Sequence, residues 1–473
     1  MWWWCLQALA RPLSFEAALD QALQANLELA SQRLDNDRLH YQLVRARGGF
    51  DPRLSARVSA DQSRTPSNQA TDVGGPASVV TTSSTGWSAG LDQALPTGGA
   101  LAVSASEQQT RTDSTNALSA RFVSSQVGVS VSQPLLRGIG QGDLAVLRDA
   151  ELAASTQEVV WRQQLEQMVL SVSDAYWGLV SAREQLAIAD RGVQLAQEQL
   201  ASTQERLAEG FAGSGEVLQV QVSLGQAERT RVDIAASVGS AEDRLSRLLG
   251  MSVGEGPDLQ LTDRPTVPDA LPGREQLLEQ AMANNAQLAL ARRVLEQARR
   301  DARRGKNGAL PDLTFDAGAS LSSGGVEPAA VREQLWANPA PSYGVGLSVG
   351  LPLVPRQALA DHAIAKVGLE QAELAMQAVE QDVALLVADA ARDLDRSRAA
   401  LVNAEATREV AALSLAAQRE LLTEGRGATR DVVDALEALR GAEAAELDAR
   451  IQLQLSVLRA EQAAGLLVSL EGG

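Results

Sequence analysis

The stretch "LAEGFAGSGEVLQV", residues 207–220, places Gly210, Gly213 and Gly215 inside a region whose apolar residues otherwise recur at helical spacing. A glycine inside a helix costs about 1 kcal/mol relative to alanine, so three together mark a turn. The turn is written twice. Residues 422–435 read "LTEGRGATRDVVDA", so Glu209 and Gly210 correspond to Glu424 and Gly425, and Glu216 to Asp431, each pair 215 positions apart. Gly213 and Gly427 complete the two turns.

Proline, the strongest helix breaker, is missing from residues 135–256 and again from 356–473. Within the first stretch Leu165, Val172, Leu179, Leu186, Val193, Leu200 and Leu207 recur every seven residues, with Met168, Ala175, Ala182, Ala189, Ala196 and Thr203 between them. That is a heptad seam. It resumes from Val220 to Leu248, and the second half repeats it from Val383 to Leu422. Arg231 and Arg408 interrupt the seam, and snorkelling or inter-helix ion pairs are expected there. The pattern predicts antiparallel coiled hairpins with the glycine turns as tips. A helix from Leu144 to Glu209 would be a rod of roughly 100 Å. Helices at 15–47 and 216–249 together match that length, so two short helices stacked end to end would flank one long one as the wall of a cylinder.

The repeat extends further. "FEAALDQALQANLELA" at 15–30 aligns without gaps on "REQLLEQAMANNAQLA" at 274–289, at an offset of 259 that also carries Asn26 onto Asn285, Pro52 onto Pro311 and Leu54 onto Leu313. This predicts a tandem duplication: a first repeat at 13–249, a Pro- and Gly-rich connector at 250–273 and a second repeat at 274–473. Residues 1–12 read as a leader remnant, with Ala8-Leu9-Ala10 resembling a cleavage signal and the signal's own start lying upstream. Cys5 reads better as an incidental thiol of that leader than as a lipoprotein cysteine.

After Pro52 and Pro311 the periodicity changes from helical to alternating. Residues 53–60 and 127–136 alternate apolar with small or polar side chains, as do 313–321 and 343–353, and these read as strands. Between the members of each pair lie loop-like stretches. Pro134 and Pro352 mark the return from strand to helix. A further alternating stretch, "GWSAGLDQALPTGGALAVSA" at 86–105, has no second-half counterpart. Four strands in a chain that otherwise makes rods give no good soluble sheet, whereas small residues opposite apolar ones suit a transmembrane barrel wall. Four strands cannot close such a wall, so several chains must share it.

Composition narrows the function. With 42 basic against 59 acidic residues the net charge is −17, which disfavours nucleic acid as a partner. One cysteine and two histidines provide no disulfide framework, no Cys/His metal site and few groups for catalysis, so neither a cofactor nor an enzyme is expected. No apolar run reaches 18 residues. Trp87 and Trp336 are candidates for an interfacial aromatic belt, and Trp161 and Trp177 for helix packing.

The chain resembles the TolC family of outer membrane efflux proteins from about Leu13 to Gly465. The carriers are the paired helix starts, Pro52, Pro311, Pro134, Pro352 and the duplicated glycine turns, in that order and repeated. The resemblance implies a mainly α fold with a transmembrane β-barrel portion, closed as a homotrimer in the outer membrane of a Gram-negative bacterium. Four strands per chain would build the barrel and a long α-helical barrel would cross the periplasm. It implies an exit duct that works with a periplasmic adaptor protein and an inner membrane pump or ABC transporter, in drug efflux or type I secretion. The adaptor would dock at the tips, at Glu209, Gly210, Gly213, Glu424, Gly425 and Gly427. Asp431 and Asp434 would form the acidic pore constriction, with Glu216 in the corresponding place of the first tip. Asp431 follows Thr429 and Glu216 follows Ser214, so helix capping and the helix dipole account for both equally well. Some family members tether the closed tip with a basic residue two positions after the turn glycine, and Gly427 stands there instead, with Arg426 and Arg430 as neighbours. Since the family's barrel has no place for strands in one repeat only, 86–105 reads as an extramembrane flap in preference to added strands. The alternative reading of the whole is a periplasmic or secreted coiled-coil scaffold.

Overall fold

The computed structural model describes residues 11–66, 79–114, 117–210, 213–252, 259–265, 271–424 and 426–467; Cys5, Ala8, Leu9, Ala10 and Gly425 lie outside them. In chain order the elements are β1 (Arg11–Leu13), α1 (Phe15–Ala25), α2 (Leu27–Arg47), β2 (Arg53–Pro66), β3 (Val79–Ala94), β4 (Ala100–Thr112) and β5 (Arg121–Pro134). Then come α3 (Asp143–Ala208), α4 (Ser214–Leu248), β6 (Leu259–Leu261), α5 (Arg274–Asn284), α6 (Ala286–Gly308) and β7 (Asp312–Gly325). Last are α7 (Pro328–Ala337), β8 (Ala340–Gly350), α8 (Arg356–Thr423) and α9 (Thr429–Ala464). The chain forms two compact units: Met1–Asn36 with Gln157–Arg292 and Ala375–Gly473, and Asp37–Thr156 with Arg293–Leu374.

The first unit is helical. Its seams are buried as their spacing requires: Val172, Ala175 and Leu179 of α3 pack with Ala18 and Ala22 of α1 and Leu245 of α4, and Val383 and Val387 of α8 pack with Leu277 and Ala281 of α5. The two seam-breaking arginines make inter-helix ion pairs. Arg231 on α4 reaches Asp190 on α3 at 2.6 Å, and Arg408 on α8 reaches Glu446 on α9 at 2.5 Å. Phe15, Tyr176 and Trp177 form an edge-packed ring cluster, and the Tyr176 hydroxyl donates to the Leu13 carbonyl at 3.0 Å. β1 pairs in parallel with β6, from Arg11↔Leu259 to Leu13↔Leu261. The strand thus includes Arg11 and Pro12 of the stretch read as a leader, and β6 lies within the connector.

The helix expected at 15–47 is broken at Asn26, and the same break occurs at Asn285. Both asparagines are buried, with extended backbone. The Asn26 Oδ1 accepts from the N–H groups of Glu28 at 2.9 Å and Leu29 at 3.2 Å, while its Nδ2 donates to the Leu248 carbonyl at 3.2 Å. Asn285 accepts from Gln287 at 2.9 Å and Leu288 at 3.4 Å and donates to the Ala463 carbonyl at 3.1 Å. One side chain caps the next helix and satisfies the end of another, which a continuous helix could not do. Gly250 and Gly465 sit beside these breaks with φ of +70° and +71°, where an added Cβ would meet the Ala25 carbonyl oxygen at 2.5 Å and the Asn284 carbonyl oxygen at 2.6 Å.

Glu461 on α9 is half-buried, and burial pushes its carboxyl above the ordinary value of 4.5. The folded form therefore binds a proton at higher pH than the unfolded chain. Its contribution to stability is fully present below 4.5 and is lost as pH rises through the raised value. Glu461→Gln is expected to flatten that part of the stability–pH curve and to cost nothing in melting temperature at pH 7. A fall at pH 7 would mean that the ionised carboxylate is held by a favourable partner.

The second unit contains one antiparallel sheet in the order β2-β3-β4-β5-β7-β8. Four strands were expected in it, and the described residues place six there. The stretch at 86–105 is no flap, because β3 pairs with β2 from Arg53↔Asp92 to Pro66↔Val79 and β4 pairs with β5 from Ala100↔Ser132 to Arg111↔Arg121. Full backbone pairing on both flanks outweighs the symmetry of the repeats. The stretch between β7 and β8, expected as loop, holds α7. Pro328 opens it at the first helical position, and Val331 and Leu335, one turn apart, bury its inner face. Among the described residues no helix is long and apolar enough to cross a membrane.

Candidate functional site

Residues aligned across the sheet divide cleanly by face. Leu54, Leu91, Val103, Val129, Ala319 and Tyr343 form one row through all six strands, and Ala56, Ala89, Ala105, Val127, Leu321 and Pro341 form another on the same side. The row between them is Ser55, Gly90, Ser104, Gly128, Ser320 and Ser342. Successive strand residues point to opposite faces, so over the middle of the sheet one face is apolar and the other is polar, rich in Ser and Gly and carrying Arg53, Arg57, Asp92 and Asp316. The polar face holds a concavity of about 400 Å³. Large apolar residues stand in the open on the two outer strands: Val58 on β2 is 86 % exposed and Tyr343 on β8 is 88 % exposed. Trp87 on β3 belongs to the apolar face, and Trp336 lies on α7, not on a strand. Trp177 is buried in the helical unit and Trp161 packs against its core. Pro52 and Pro311 immediately precede β2 and β7, Pro134 ends β5, and Pro352 lies between β8 and α8.

At the α3–α4 tip, Glu209 donates its N–H to the Glu205 carbonyl, and Gly210 follows with φ +79°, a conformation that favours glycine. The cap of α4 is Gly213 rather than Ser214, because Glu216 Oε1 accepts from the Gly213 N–H at 3.2 Å. At the α8–α9 tip, the N–H groups of Arg426 and Gly427 both donate to the Leu421 carbonyl at 2.9 Å. A Cβ on Gly427 would lie 2.9 Å from the Leu422 nitrogen, so only glycine fits. α9 starts at Thr429 with Ala428 as its cap, displacing the expected Thr429 cap by one residue. Asp431 is then in the first turn and Asp434 beyond it. Arg426 pairs with Glu424 at 3.5 Å and Arg430 with Asp434 at 3.6 Å, so both arginines are engaged within their own tip.

The two tips share a groove of about 450 Å³ whose lining includes Arg206, Glu216, Gln219, Arg430, Asp434 and Glu437. Glu216 and Asp434 come together there, and Asp431 is not in the lining. Leu415, Val432, Ala435 and Leu436 pack beneath. Glu437 and Arg206 were missed in the sequence, although Glu437 lies three residues after Asp434 and so on the same helix face. Among the described residues no cluster of His, Cys, Asp and Glu could hold a metal.

The profile of the family described as "Outer membrane efflux protein" matches residues 18–251 and 277–466. The chain belongs to that family. As an outer membrane efflux protein it is a channel protein of the outer membrane, in a family of transport channels rather than enzymes. It is 24% identical over 347 residues to the outer membrane protein TolC of Vibrio cholerae, covering 72% of this chain and 76% of that one. It is 25% identical over 211 residues to the TolC of Escherichia coli, where the match spans 43% of this chain and 42% of that one. Among solved structures, the outer membrane protein VceC of Vibrio cholerae superimposes with a TM-score of 0.65 at 16% identity, covering 95% of this chain and 96% of that one, a likeness of fold.

Proposed function

We propose that three copies of this efflux-family chain close into a passive exit duct. The apolar face of each sheet meets outer membrane lipid, and the Ser- and Gly-rich face lines a water-filled lumen. The observation that carries this reading is the division of all six strands into one apolar and one polar face, with β2 and β8 each paired on one side only among the described residues. The exposed apolar face does not suit a coiled-coil scaffold in water.

The chain is read as two tandem repeats, 13–249 and 274–473 joined by 250–273. The matching roles of Asn26 and Asn285, and of Gly250 and Gly465, support the duplication. The helical tips are where the duct closes and where a periplasmic adaptor protein docks, with an inner membrane pump or ABC transporter as the energy source. In the trimer Asp431 and Asp434 each become a ring of three carboxylates that favours cations. Glu216 accepts from the Gly213 N–H at the cap of α4 and adds charge to the groove beside Asp434.

Outer membrane fractions run on a denaturing gel test the assembly. A trimer-sized band is expected without heating, collapsing on boiling to the 49.9 kDa chain. A monomer under both conditions would sink the duct. In planar bilayers, Asp431→Ala/Asp434→Ala is expected to lower the cation-over-anion permeability ratio several-fold, and an unchanged reversal potential would remove the two aspartates from the constriction.

A further inference from the structure

This inference deepens the duct reading and rests on it. The hairpin of β3 and β4 is bound to the wall on every side. Its flanks pair with β2 and β5, and its turn is closed by the Leu95 N–H donating to the Gly99 carbonyl at 2.8 Å. The turn is also tied to the base of β5. The Thr97 carbonyl accepts from the Gly140 N–H at 3.0 Å and from Gln133 Nε2 at 3.2 Å, and the Thr97 hydroxyl donates to Gln133 Oε1 at 2.6 Å. Gly98, at φ +87°, lies so close to the Gly138 carbonyl that a Cβ would meet its oxygen at 2.4 Å. A hinged flap would have none of these ties.

The hairpin also keeps the phase of the wall. Trp87, Ala89 and Leu91 on β3 and Leu101, Val103 and Ala105 on β4 fall on the apolar face, while Gly86, Ser88, Gly90, Ser104 and Ser106 fall on the polar one. Being two strands, it preserves the antiparallel order, and β2 and β8 remain the outer strands that meet the next copy.

We propose that the barrel has eighteen strands, six from each of three chains, and not the twelve that four strands per chain would give. Barrel diameter grows roughly linearly with strand number, so the outlet is about one and a half times as wide. Its lining at mid-sheet is the row of Ser55, Gly90, Ser104, Gly128, Ser320 and Ser342, flanked on the same face by Arg57 on one side and by Arg53 and Asp92 on the other, so the outlet passes bulkier hydrated cargo.

Engineered cysteines decide between the two walls, in a chain carrying Cys5→Ser and within heat-sensitive trimers. Ala56→Cys/Ala89→Cys joins directly opposed positions on β2 and β3 and is expected to oxidise to a disulfide. Ala56→Cys/Val127→Cys spans three strand spacings, about 14 Å, and is expected to stay reduced. If Ala56→Cys instead bridges to Val127→Cys, β2 pairs with β5, the hairpin is outside the wall and the proposal is overturned. Cryo-electron microscopy of the unsubstituted trimer gives a second count: eighteen strands support the inference and twelve end it. If the unsubstituted chain forms no heat-sensitive trimer, the duct reading fails and the inference falls with it.

Discussion

In the proposed trimer, Val129→Arg is expected to abolish the heat-sensitive assembly, whereas Ser130→Arg, one residue along the same strand, is expected to leave it in place. Val129 sits in the apolar row between Val103 and Ala319, and Ser130 faces the other way between Ala102 and Gly318. An arginine on the lipid face of a barrel near mid-membrane costs about 2–4 kcal/mol, and the trimer carries three. On the lumen face the guanidinium stays in water beside Gly318, where no side chain contests the space. The measurement is the amount of unheated trimer in outer membrane fractions. Equal loss from both substitutions would mean that the two faces are not lipid and lumen.

Asn26→Ala and Asn285→Ala are each expected to destabilise the helical unit by about 2–4 kcal/mol, the sum of a lost helix cap and a carbonyl left without its donor in a buried place. Both asparagines are nearly buried, at 7% and 6% exposure, so water cannot replace the lost bonds. Aspartate at either position keeps the Oδ1 acceptor for the following N–H groups but sets a carboxylate against the Leu248 or Ala463 carbonyl in place of the amide donor. It should therefore be no better than alanine. The two sites share no partner, so the double variant should lose the sum of the two effects. The check is the temperature at which the trimer dissociates, and a variant that melts with the native protein would show that the breaks are held by packing alone.

Much of the helical unit was legible because its signals are local. A heptad seam, a glycine turn or a proline at an element boundary acts within a few residues, and Val172, Gly210, Pro52 and Pro311 lie where that chemistry places them. Symmetry misled where local signals were neutral. Residues 86–105 alternate just as the other strands do, and only the backbone of β2 and β5 on either side makes them part of the wall. The break at Asn26 was hidden for a similar reason, since its amide is drawn to the Leu248 carbonyl, more than two hundred positions away. At the tips the glycines were legible, but the groove was not. Bringing Glu216 to Asp434 needs two hairpins packed side by side, and a single chain's spacing shows only Asp434 with Glu437.

The parallel pairing of Arg11–Leu13 with Leu259–Leu261 also affects the timing of folding. The first strand has no partner until the chain has been made past its midpoint, and β5, which can pair early with β4, gains its other neighbour β7 only almost two hundred residues later. Contacts so distant in sequence form slowly, because the intervening loop must be closed before any bond offsets its entropy. A polypeptide bound for an outer membrane must first be threaded through another one. Late long-range pairing keeps it loose for that passage and leaves final folding until both halves have arrived.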